Sequence, residues 1–187
     1  MTIKVIGIVG SPRKGFNTDT LVQAVLDGAK AAGAQTIKYN LNDLKFVGCQ
    51  ACRYCKQNNE CRIEDDAKKV IKEITSAQAV VFGSPIYFRQ LTGQLVLFMD
   101  RMYSLMAPEL GKLQWAGGTK ALLVTSQGAP DPLMSETAAN QFCNAMKFLG
   151  FKTVDPIVHT NGNTSIVKEN LALIEKAREN GKTLAAQ

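Results

Sequence analysis

The chain has 187 residues, enough for one sizeable core, and its 45% hydrophobic and 20% charged content is that of an ordinary globular protein. Its formal charge of +6 invites a nucleic-acid reading, but Lys and Arg are scattered and do not interleave with aromatic residues, so no nucleic-acid groove is expected. No apolar run approaches the roughly 18 residues of a membrane helix, and the opening MTIKVIGIVGSPRKG lacks a small-residue cleavage site, so no membrane partner is expected and the chain reads as cytoplasmic.

Ile3 to Gly10 is a short apolar run ending at Gly, the pattern of a buried strand. A helix follows over 18–33, with Leu21, Val25 and Ala29 at helical spacing and Gly33 as its stop. A second strand is expected over 34–41, and an irregular stretch from Asn42 to Glu64 comes next. Asp65 and Asp66 can cap a helix over 67–77. A strand over 78–85 leads to a helix over 91–106 that buries Leu91, Leu95, Phe98 and Met102. Then come a strand at 119–128, a helix at 135–150, a strand at 151–160 weakened by Pro156, and a closing helix at 166–180. This alternation predicts an α/β fold: a flavodoxin-like, doubly wound, five-stranded parallel sheet of order 2-1-3-4-5 with helices on both faces. One domain over 1–187 is expected, with a cysteine-rich insertion at 42–64. That insertion far exceeds the roughly 2–6 residues usual for such connections, and needs something to order it.

Ligands of such sheets sit beyond the carboxyl ends of the strands. The first loop there, GSPRKGFNT, opens like a nucleotide-binding G-x-x-x-x-G, but Phe16-Asn17 stands where Lys-Ser/Thr should follow. What remains is a set of donors (Ser11, Arg13, Asn17, Thr18) at a helix N-terminus, a site for an anion. The third-strand loop, GSPIYFRQLTGQ, has Gly83 and Pro85 to fix a turn and Tyr87-Phe88 as a platform for a flat ring. The fourth-strand loop, TSQGAPD, is small and polar. Together the three loops suggest a mononucleotide site.

All the cysteines except Cys143 lie between Cys49 and Cys61, in CQACRYCKQNNEC. They can form disulfides, hold zinc, hold an iron–sulfur cluster, or remain thiols. A reducing cytosol disfavours disulfides. Zinc usually takes two Cys pairs divided by a longer spacer, whereas one run at intervals of three suits a cubane, whose corners each need a thiolate. Gly48 and Ala51 leave room for backbone near the sulfides, and Arg53, Lys56 and Arg62 are candidates to offset negative charge. An FMN phosphate and a four-thiolate cluster, each about −2, would bring the loaded chain to about +2. Cys143 and His159 read as structural, and no nucleophile–base constellation is evident, so chemistry must come from cofactors.

GSPRKGFNT, CQACRYCKQNNECRIEDD and GSPIYFRQLTGQLVLFMDR resemble the NADPH-dependent FMN reductase superfamily, and within it the iron–sulfur flavoproteins. The resemblance covers most of the chain and is strongest from Ile3 to Arg101. It implies FMN with its phosphate held by Ser11, Arg13, Asn17 and Thr18. Ser84, Pro85, Ile86, Tyr87 and Phe88 would line the ring, and Ser126, Gln127 and Gly128 would close the far side. It implies a 4Fe–4S cluster on Cys49, Cys52, Cys55 and Cys61. It further implies a homodimer or homotetramer, with a cluster near a neighbouring subunit's flavin. Electrons would come from ferredoxin or NAD(P)H and pass to a small-molecule acceptor. Val96 departs from the pattern, since related chains often carry Lys there. Two alternatives stand beside this one: an NAD(P)H-dependent flavin or quinone reductase without a cluster, and a non-enzymatic flavin-binding module with a zinc-ordered loop.

Overall fold

The computed structural model describes residues 3–109 and 111–186. Strands β1 (Lys4–Val9), β2 (Gln35–Asn40), β3 (Ala79–Tyr87), β5 (Lys120–Ser126) and β6 (Lys152–His159) pair in parallel in the order β2-β1-β3-β5-β6. Numbered among themselves, these five stand 2-1-3-4-5, as the alternation predicts. The sheet has a sixth member the sequence reading missed. β4 (Gln90–Leu91) folds back antiparallel on the end of β3, pairing Ile86 with Leu91 and Tyr87 with Gln90. β3 therefore runs straight through Gly83 and Pro85, and the turn comes at Phe88-Arg89. Both of these have positive φ, +51° and +63°, as a two-residue hairpin of type I′ requires.

Alternation along the strands divides the core. Ile6, Ile8, Val80, Phe82, Ala121 and Leu123 face α3 (Asp66–Ile74), α4 (Gly93–Arg101) and α5 (Glu136–Phe148). Val5, Val9, Ala79, Val81, Leu122 and Val124 face α1 (Asn17–Ala31) and α6 (Leu171–Ala185). Burial on both faces explains why these strands read as unbroken apolar runs. α1 and α6 touch backbone to backbone. A Cβ added at Gly28 would lie 2.0 Å from the Arg178 carbonyl oxygen, and one at Gly181 would lie 1.9 Å from that of Val25.

Local chemistry sets the boundaries. Asp65 caps α3 by accepting from the Lys68 amide at 3.2 Å. The closing helix starts later than periodicity implies, because Asn170 caps it through the Leu173 amide at 3.0 Å. It also continues past Gly181, which serves the α1 crossing rather than a stop. Pro156 sits at a register shift between the Leu122–Val154 and Val124–Ile157 pairs, on the edge strand where a missing amide is tolerated. The insertion contains one short helix, α2 (Cys55–Asn58), and protein contacts order much of it. Phe46 meets Phe98 edge-on at 6.0 Å, and the Lys45 amide donates to Asp66 Oδ2 at 2.8 Å.

Candidate functional site

The carboxyl ends of β1, β3 and β5 bound one cleft. Ser11, Arg13, Asn17, Thr18, Pro85, Ile86, Tyr87, Ser126, Gln127 and Gly128 line it, so most of the residues picked from three distant loops come together. Ser84 and Phe88 do not. Ser84 is fully buried behind the cleft, where its Oγ accepts from the Thr92 amide at 2.9 Å. Phe88 stands wholly exposed at the tip of the β3–β4 hairpin. Sequence reasoning missed Phe16, Gly162 and Asn163, which also line the cleft. The Asn161-Gly162 turn just after β6 was the available signal for the last two.

The floor of the cleft is suited to an anion. The first-turn amides of α1 have no intrahelical acceptor, and Phe16 offers no side-chain cap. Asp19 occupies one nearby donor, taking the Gly15 amide at 2.6 Å, while Lys38 neutralises its carboxylate at 2.8 Å. The Arg13 guanidinium lies over the Phe16 ring, 3.8 Å from its centroid, so the cation is held at the cleft by stacking. Asn17 does more than furnish a donor. Its Nδ2 donates to the carbonyls of Gly162 (3.2 Å) and Ser165 (3.3 Å), and its Oδ1 accepts from the Val167 amide at 3.0 Å. This side chain draws the loop after β6 over the cleft.

On the opposite wall, Gln127 Nε2 donates to the carbonyls of Ala129 and Asp131. Its Oε1 is buried with no partner, which leaves a polar acceptor for a ligand N–H or O–H. Ser126 Oγ lies 3.0 Å from His159 Nδ1. His159 is itself buried, and burial pushes its pKa below the usual histidine value. The histidine thus supports the cleft from behind. Val96, by contrast, lies on the outer part of α4 beside Met99, Gln90 and Phe142, away from this cleft.

Cys49, Cys52, Cys55 and Cys61 surround a second hollow, walled by Arg101, Tyr103 and Ser104. Cys49 and Cys52 are exposed, Cys61 is half-buried and Cys55 is buried. Burial pushes the Cys55 thiol up, against the Lys56 charge. The backbone here is unusual, with Ala51, Arg53 and Asn59 all at positive φ (51°, 58° and 56°). Among the described residues no three His, Cys, Asp or Glu side chains are arranged to hold a single metal ion. One sequence-based role changes. Gly48 packs beside the Leu97 side chain, where an added Cβ would lie 2.6 Å from Cδ1. Lys56 turns inward, its Nζ donating to the carbonyls of Tyr103 (2.8 Å) and Met106 (2.6 Å), and burial lowers its pKa. The cation beside a cysteine sulfur is Arg101, whose Nη2 lies 3.4 Å from Cys61 Sγ.

A doubly wound parallel sheet with an anion-binding loop after its first strand and an aromatic wall after its third defines a flavodoxin-like protein. Residues 3–162 match the NADPH-dependent FMN reductase family, and the chain belongs to that family. It is an FMN-dependent oxidoreductase, similar in sequence to iron–sulfur flavoproteins. One, from Methanocaldococcus jannaschii, is 30% identical over 188 residues, spanning 98% of this chain and 96% of its own. Another, from Methanosarcina thermophila, is 31% identical over 99 residues, covering 53% of this chain and 52% of that one. In fold the chain is similar to an NAD(P)H:quinone oxidoreductase from Methanothermobacter marburgensis, with a TM-score of 0.77, 16% identity and coverage of 100% and 99%. No helix among the described residues is long and apolar enough to cross a membrane.

Proposed function

We propose that this is a cytoplasmic iron–sulfur flavoprotein that moves electrons between a one-electron donor of the ferredoxin class and a small acceptor such as oxygen, peroxide or a quinone. The observation that carries the reading is the gathering of Cys49, Cys52, Cys55 and Cys61 around one hollow that contains no other thiol. The all-thiolate donor set, its compact spacing and the similarity to proteins named iron–sulfur flavoproteins favour a cluster over one zinc ion. FMN accepts or donates electrons in pairs or singly, and a 4Fe–4S cluster exchanges them one at a time.

The chain's own residues would then divide the work. Arg13, with Ser11, Thr18 and the first-turn amides of α1, would neutralise and orient the flavin phosphate. Pro85, Ile86 and Tyr87 would provide an apolar face for the ring, and Gln127 and Gly128 would bound its far edge. Ser126 and His159 are in hydrogen-bond reach but both are buried, so in this reading the residues of the cleft bind, orient and exclude water. The same reading includes a homodimer or homotetramer in which one subunit's cysteines approach its neighbour's flavin, as the resemblance to iron–sulfur flavoproteins implies.

Family membership favours a second reading, in which NAD(P)H reduces the flavin directly and the cysteine segment carries no cluster. Iron, sulfide, zinc and FMN per chain in anaerobically prepared protein separate the two. About four irons, four sulfides and one FMN is the expected result. FMN without iron, together with rapid turnover on NADPH, would establish the second reading.

A further inference from the structure

Arg101 carries a buried charge that the flavin cleft does not use. It ends α4 and is 1% exposed. Its Nη1 donates to the Val47 carbonyl at 2.8 Å and to Asp65 Oδ2 at 2.5 Å. Its Nη2 faces Asp65 Oδ1 at 3.1 Å, the Ile63 carbonyl at 3.4 Å and Cys61 Sγ at 3.4 Å. Val47 precedes the first cysteine of the segment and Ile63 follows the last, so one guanidinium ties both ends of the segment together. Asp65 completes the clamp, since its Oδ2 also accepts from the Val47 amide at 3.3 Å while Oδ1 caps α3.

A buried guanidinium is costly unless its charge is paired and its N–H groups are satisfied. Asp65 supplies the pairing with a two-point fork. That pairing does not account for the reach of Nη2 to sulfur. Lys56, the other inward-facing cation of the segment, is committed to the Tyr103 and Met106 carbonyls. Arg53 and Arg62 are exposed. Only Arg101 among these cations donates to a cysteine sulfur.

We propose that Arg101 is the positioning residue of the cysteine site. It closes the segment around the four thiols and donates a charge-assisted hydrogen bond to the Cys61 thiolate. The inference rests on the cluster reading above. Hydrogen bonds to ligand sulfur favour the more negative, reduced state of a cluster and so raise its potential. The step tuned is the gain of one electron from a one-electron donor, with no bond made or broken. A Lys at this position keeps the charge but, being a single point, cannot serve Asp65, two carbonyls and a sulfur together.

The test compares wild-type protein with Arg101→Lys and Arg101→Met, all prepared anaerobically. Iron and FMN per chain are measured, and the cluster's midpoint potential is followed spectroscopically during a redox titration. Arg101→Lys is expected to keep its iron and to shift the oxidised-to-reduced ratio about tenfold toward oxidised, about 59 mV lower for one electron, with the flavin potential unchanged. Arg101→Met is expected to lose iron while keeping FMN. Full iron and an unchanged potential in Arg101→Lys would overturn the tuning role, and the same result in Arg101→Met would overturn the clamp as well. Loss of iron and FMN together from both variants would make Arg101 a general folding residue and overturn the proposal. Wild-type protein without iron after anaerobic reconstitution would instead overturn the cluster reading beneath it.

Discussion

Asn17 looked in the sequence like one more donor for a phosphate. In the fold it is a clamp, with three hydrogen bonds to the loop after β6. Asn17→Ala should therefore act twice. It should cost about 1–2 kcal/mol of stability through lost hydrogen bonds. It should also weaken FMN binding about tenfold by releasing Gly162 and Asn163 from the cleft. Chemical denaturation and a flavin fluorescence titration would check these in turn, and unchanged flavin affinity would return Asn17 to a purely structural role. His159 behaves differently. Burial holds its folded pKa below the unfolded value of about 6.5, so the unfolded state binds the extra proton first. Its contribution is complete above about pH 6.5 and declines as the pH falls from there toward the folded pKa. Urea midpoints at pH 7.5 and pH 5 should thus differ less in His159→Gln than in the wild type.

Elements were easier to read than single roles. The buried strands announced themselves as apolar runs because both sheet faces are covered, and Asp65 marked the start of α3 by its side-chain oxygen. β4 stayed hidden because it has two residues, too few for any period, and depends on pairing with β3. Likewise, nothing local to Gly181 distinguishes a helix stop from a helix crossing; only the proximity of α1 does. Gly181→Ala puts a methyl carbon into the Val25 carbonyl, a backbone atom that cannot rotate away. The helices would have to separate, and a loss of about 1–3 kcal/mol is expected. Thermal unfolding would measure it, and the usual small helix gain of a Gly→Ala change would show instead if α1 and α6 did not touch there.

At the scale of the molecule, the two hollows stand on different parts of the fold. One lies across the carboxyl ends of three strands, and the other lies in the insertion after β2, braced by α4. This separation predicts that the cofactors can be removed independently. Cys52→Ala should lose iron and keep about one FMN per chain, since Cys52 is exposed and does not line the flavin cleft. Metal analysis with flavin absorbance decides it, and loss of both together would contradict two separate sites. The subunit mass, measured beside these, shows whether iron loss also changes assembly.

By itself the sequence determined the class of fold, the strand order among the parallel strands, the family, and the four cysteines as a set. Fold class, strand order and the cysteine set are written in local order (periodicity of burial, alternation of elements, or spacing within a few residues), and the family in the resemblance of three short segments. The tertiary structure alone decided that Asn17 reaches the β6 loop, that Phe88 leaves the cleft for a hairpin tip, and that Lys56 turns away from the cysteines while Arg101 turns toward them. The physical reason is the same in each case. A side chain's partner is set by which distant segment packs beside it, and Arg101 meets Val47, Ile63 and Cys61 only because α4 lies against the insertion.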